Sequence, residues 1–113
     1  MQHTTSDALT VIAQLRARPG KEEALREALT ALVRPTSCEP GCVTYDLHVD
    51  VDDPASFCFY EIWRSRAEHA ANLETAHLQD FAARLDDLLD GELHVRFLRR
   101  IAESASASPV MQG

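Results

Sequence analysis

The stretch VTYDLHVDVDDPASFCFYEIW, residues 43–63, decides the fold. In its first half Val43, Tyr45, Leu47, Val49 and Val51 alternate with Thr44, Asp46, His48 and Asp50, the period of a strand with one buried face. Asp52-Asp53-Pro54 reads as a turn, and Ser56 to Arg64 as a second strand, so the pair forms a hairpin. The second strand is apolar on both sides: Phe57, Phe59 and Trp63 point one way, Cys58, Tyr60 and Ile62 the other. A strand apolar on both faces is covered on both faces. Its one carboxylate, Glu61, shares a face with Trp63, because side chains alternate.

The flanking periods complete the order. Residues 9–17 alternate through Leu9, Val11, Ala13, Leu15 and Ala17 until Pro19-Gly20 breaks the strand. From Lys21 the period turns helical, with Leu25, Ala28, Leu29, Leu32 and Val33 on one stripe, and Pro35 predicts a stop at Arg34. After the hairpin, Ser65-Arg66-Ala67-Glu68 is a capping box that opens a short helix. Thr75 is placed to cap another, striped by Leu78, Phe81, Ala82, Leu85, Leu88 and Leu89 and closed at Gly91. Leu93, Val95, Phe97 and Ile101 mark a last strand. The order β-α-β-β-α-β, with its second helix broken in two, predicts an α+β, ferredoxin-like fold: a four-stranded antiparallel sheet with helices on one face. The other apolar face then calls for a second copy of the sheet in a twofold homodimer.

With 113 residues the chain suits one domain, expected over 8–102, with disorder expected in the small, polar segments 1–7 and 103–113. No apolar run approaches the roughly 18 residues that span a bilayer, and MQHTTSD has neither the charge nor the apolar core of a signal peptide, so the expected location is the cytoplasm, away from membranes. A net charge of −7 repels phosphate backbones, and the cluster Arg96, Arg99, Arg100 does not offset it, so nucleic acid is not an expected partner. Cys38, Cys42 and Cys58 form neither a CxxC pair nor a zinc pattern, so reduced thiols and no metal site are expected.

Three segments resemble the antibiotic biosynthesis monooxygenase superfamily of dimeric α+β barrels. TVIAQLRARPGKEEALREAL is similar to its first strand, Pro-Gly turn and helix; Glu39-Pro40-Gly41-Cys42-Val43-Thr44-Tyr45 to its Glu-x-Gly-x-x-x-Tyr segment. DPASFCFYEIWRSRAEHAANLETAHLQDF resembles its Asp-Pro turn, the aromatic strand ending Glu-x-Trp, and the helix with Thr-x-His and Phe. The resemblance implies a cofactor-independent quinol or polyketide monooxygenase that oxidises a small phenol with molecular oxygen, without metal or flavin. Relatives of this fold include an isomerase and haem-degrading enzymes; the latter resemble each other in a first-strand Asn where this chain has Ala13 and Gln14. Many members carry a His nine residues after the Trp, where this chain has Asn72, while the later family His is kept as His77.

Such chemistry needs a base to deprotonate the phenol, donors for the resulting anion and an aromatic box for a flat ring. His77, beside the Thr75 cap and at the rim of the Phe81 stripe, is the expected base. Glu61 is expected to orient a histidine or accept a proton, and Asn72, one helical turn after His69, to donate its amide to an oxyanion. Trp63, Phe59, Tyr45, His69 and Phe81 are expected to hold the substrate. The competing structural readings are an ion-paired Glu61, a core Trp63 and a surface His77. Isomerisation of a small carbonyl compound and a non-catalytic dimeric ligand-binding or stress-response module are the alternative functions.

Overall fold

Alternation and helical periodicity resolve into eight elements: β1 (Leu9–Arg16), α1 (Glu22–Ser37), β2 (Cys42–Asp50), β3 (Asp53–Trp63), α2 (Arg66–Asn72), α3 (Ala76–Ala82), α4 (Leu85–Leu88) and β4 (His94–Leu98). The structure, a computed structural model, describes residues 8–105; the expectations for 1–7 and for the tail beyond 105 lie outside the described residues. The strands form one antiparallel sheet in the order β2-β3-β1-β4, the ferredoxin-like arrangement. Register carries a single row across all four: Tyr45 faces Glu61, Glu61 faces Val11, and Val11 faces Phe97. Cross-strand partners share a face, so these side chains point to the helix side together.

On that side, Leu25, Leu29 and Leu32 of α1 pack with Val11, Leu15, Phe57 and Trp63 in one buried cluster. Burying such side chains stabilises the chain by roughly 1.5–3 kcal/mol each before conformational entropy is counted. Among the described residues nothing covers the far face: Tyr60 and Leu98 are exposed, while Ile12, Cys58 and Ile62 are half-buried.

Several boundaries differ from those read in the sequence. α1 does not end at Arg34 but continues through Pro35 to Ser37. The carbonyl that Pro35 cannot serve belongs to Ala31, an exposed residue whose oxygen water can reach, while the extra turn buries Thr36 one turn beyond Leu32. β3 starts at Asp53, whose carboxylate accepts from the Ala55 amide at 3.0 Å and pairs with Arg16 of β1 at 2.7 Å. β4 stops at Leu98 because its partner strand ends: Leu98 pairs with Thr10, and β1 begins at Leu9. Ile101, expected within the strand, is left almost fully exposed.

The caps divide. Ser65 accepts from the Glu68 amide at 3.1 Å, and its hydroxyl in turn donates to the Glu68 carboxylate at 3.1 Å. Thr75 stands at the N-cap of α3 without capping it. Its hydroxyl donates backwards to the Asn72 carbonyl at 2.7 Å, closing the corner between α2 and α3.

Candidate active site

A cavity of about 400 Å³ lies between the helix-side face of the sheet and the helical segment α2–α4. The cross-sheet row builds its floor: Tyr45 from β2, Glu61 from β3, Val11 from β1 and Phe97 from β4, with Phe59 one step along β3. His69 and Asn72 come from α2, where their spacing puts them on one face. Leu78, Phe81 and Leu85 bring in α3 and α4. The Ser65 cap fixes where α2 starts, and the Thr75 hydroxyl on the Asn72 carbonyl fixes where it ends. The walls are mostly apolar, so their polar groups are few and well defined.

Glu61 is the central one, buried at 5% exposure. The Trp63 indole N–H donates to its Oε1 at 2.9 Å. His69 Nε2 lies 3.9 Å from the same oxygen, close enough for electrostatic contact and too far for a hydrogen bond. Burial pushes the Glu61 carboxyl up to about 7, against the bond from Trp63, which favours the carboxylate. Burial pushes His69 down, and the neighbouring Arg66 charge adds to this. Near neutral pH the site therefore holds a carboxyl close to half-protonated beside a neutral imidazole. The Tyr45 hydroxyl is driven upward, chiefly by burial and further by Glu61, so it stays a neutral donor.

Aromatic contacts fix the box. Tyr45 stacks on Phe59 with centroids 4.5 Å apart. The His69 ring stands edge-on to Trp63 at 5.7 Å and to Phe97 at 5.5 Å, and the Arg66 guanidinium covers the Phe97 ring at 4.5 Å. Asn72 is 3% exposed, and its Oδ1 has no hydrogen-bond partner among the described residues. A buried amide oxygen left unpaired costs roughly 1–3 kcal/mol, and a ligand hydroxyl in the cavity is one group that would satisfy it.

Six of the residues expected from the sequence line this cavity: Glu61, Asn72, Phe59, Tyr45, His69 and Phe81. His77 and Trp63 do not. The His77 ring turns instead to the Thr75 hydroxyl at 3.3 Å and to Glu39 of the α1–β2 loop at 3.9 Å. Trp63, fully buried, offers no ring face to a substrate; its polar edge serves Glu61. Phe97 and Val11 line the cavity as well, outside the residues expected there, although their alternation places them on the inner face. What the sequence lacked was the register that sets them beside Glu61. Among the described residues no group of three His, Cys, Asp or Glu could hold a metal ion.

Comparison with known proteins agrees with this architecture. The profile of the antibiotic biosynthesis monooxygenase family matches residues 8–84. The crystal structure of PA3566 from Pseudomonas aeruginosa is 39% identical, superposes with a TM-score of 0.83, and covers 89% of this chain and 100% of that one. Putative monooxygenase Rv0793 of Mycobacterium tuberculosis is 31% identical over 87% of this chain and 96% of its own length, and its structure superposes with a TM-score of 0.81. Probable quinol monooxygenase YgiN of Escherichia coli is 31% identical over 80% of this chain and 96% of its own length. The chain spans 66% of a further relative, the uncharacterized sll1783 of Synechocystis. With the family profile matched across most of the sequence and the same sheet and helices underneath it, this chain belongs to the antibiotic biosynthesis monooxygenase family.

Proposed function

We propose that the cavity oxidises a small quinol or polyketide-like phenol with molecular oxygen and without a cofactor. The observation that carries this reading is the buried Glu61–His69 pair set into an aromatic box. A neutral His69 takes the phenolic proton, since its burial keeps it an acceptor at neutral pH. The anion that forms is electron-rich enough to pass an electron to oxygen, and the neutral Tyr45 hydroxyl, the Asn72 carboxamide and protonated Glu61 are the donors available to it. In the balanced reaction a quinol takes one oxygen atom at a ring C–H and leaves as the hydroxyquinone: the ring supplies all four electrons, and the second oxygen atom leaves as water. The names of YgiN and Rv0793 support the reaction class, and the apolar walls support a flat aromatic body.

The base in this reading is His69, in place of His77, which does not line the cavity. A second reading uses the same pair without oxygen. A neutral carboxyl beside a neutral imidazole is also an acid and a base for isomerising a small carbonyl compound. Oxygen uptake by metal-stripped protein with quinols and anthrones separates the two, because isomerisation consumes none.

The reading extends to assembly. The uncovered sheet face, with Tyr60, Ile62, Ile12 and Leu98, is the surface on which a second copy packs in a twofold dimer. Sedimentation velocity tests this, and a monomer at micromolar concentration would refute it.

A further inference from the structure

We propose that Trp63 is a positioning residue: its indole N–H holds Oε1 of Glu61, so that Oε2 is the oxygen that carries the carboxyl proton and meets a ligand in the cavity. This rests on the acid–base reading of Glu61 and goes beyond it, because it decides which atom of the carboxyl acts. It also replaces the role expected from the sequence, a ring platform under the substrate.

Access to the cavity separates the two residues. Trp63 is fully buried and does not line the cavity, whereas Glu61 does. The indole has one polar atom, a donor that cannot accept. At 2.9 Å from Oε1, that hydrogen occupies a lone pair of one particular oxygen. A neutral carboxyl has one hydrogen, and placing it on Oε1 would set it against the indole N–H. The hydrogen is therefore directed to Oε2, for which no partner exists among the described residues. Oε1 meanwhile faces Nε2 of His69 at 3.9 Å. The two oxygens thus separate their tasks: Oε1 anchors the carboxyl between Trp63 and His69, and Oε2–H is free to donate.

The surroundings let a single bond dominate. β1 presents apolar Val11 opposite Glu61, and β2 presents the neutral Tyr45 hydroxyl. α2 presents His69, with the Arg66 charge behind it. The thiols of Cys42 and Cys58 lie within the field of Glu61, and burial raises both, keeping them uncharged. The Trp63 bond is the one that favours the carboxylate form of Glu61, opposing the effect of burial.

The chain has a single Trp, so one indole proton–nitrogen resonance reports this bond. It is followed on the substrate-free protein through the neutral range. The expected result is one sigmoidal shift with its midpoint near 7, lost in Glu61→Gln and kept in His69→Asn. In Trp63→Phe the Glu61 carboxyl carbon should titrate about one unit higher, since a bond to the charged form is gone. A flat indole resonance overturns the proposal. So does a shift that survives Glu61→Gln and vanishes in His69→Asn, which would make it a report on the imidazole. Should Trp63→Phe fail to fold, the indole titrations in native protein and in Glu61→Gln decide alone. None of these titrations needs a substrate. Absence of oxygen uptake would therefore remove the proposed reaction and leave the positioning of Glu61 standing.

Discussion

Glu61 is an acid whose native form prefers its proton, and stability should show it. Its folded value, about 7, lies above an ordinary value of about 4.5. Between these limits the native state binds more protons than the unfolded state, so this group's contribution is complete at the acid end and is lost as pH rises through 7. Full loss amounts to roughly 3 kcal/mol. His69 works the other way: with its value lowered, its contribution is present above the ordinary histidine range and lost as pH falls. Comparing native protein with Glu61→Gln cancels the His69 part. The melting-temperature advantage of the native protein over Glu61→Gln should shrink steadily from mildly acid to neutral pH; a constant difference would contradict a buried, proton-holding Glu61. At this scale the sequence was half legible. A carboxylate among Phe59, Tyr60, Ile62 and Trp63 announces itself as an anomaly. The sequence points to His77 as the base and to His69 as a substrate contact, although both stand on amphipathic helical segments and periodicity does not rank them. The backward Thr75 bond and the Glu39 contact turn His77 aside, and neither leaves a periodic signal.

At the scale of elements, α2 is the part that carries His69 and Asn72, and its start rests on one side chain. Ser65→Ala should cost about 1 kcal/mol in chemical denaturation, the usual loss of an N-cap. Thr75→Ala should not follow the cap rule, since the Thr75 hydroxyl bonds a carbonyl and no amide of its own helix. Gly41 supports α2 from below. It has φ +84°, and a Cβ there would run into the Glu68 side chain that closes the Ser65 cap. Its carbonyl also accepts from the Arg64 amide at 2.8 Å, just before that cap. Gly41→Ala should therefore destabilise more than Ser65→Ala does, by left-handed strain and by displacing Glu68 together; equal losses would mean that the loop yields freely. The capping box and the Pro-Gly turn were readable because they depend on neighbours in sequence. The run of α1 through Pro35 was not, because it depends on the exposed position of Ala31 and a buried place for Thr36, which only the packed chain supplies.

For the whole molecule, the β-α-β-β-α-β order was legible because each strand declares its own inner face and the hairpin fixes one pairing. The edge position of β4 comes from the structure, and its short extent depends on where β1 starts. The open sheet face bears directly on assembly. Tyr60→Glu puts a charge in the middle of the apolar row and should convert a dimer to monomer in sedimentation; an unchanged species would move the contact elsewhere. Function belongs to the same scale, since the cavity draws on all four strands and on all four helices. The most direct measurement is oxygen uptake by metal-stripped protein with a panel of quinols and anthrones, run beside His69→Asn and His77→Ala. Uptake should fall by about a hundredfold or more in His69→Asn, the usual loss with a general base, and stay within a few-fold in His77→Ala. Uptake insensitive to His69, or lost with His77 alone, would contradict a base at His69.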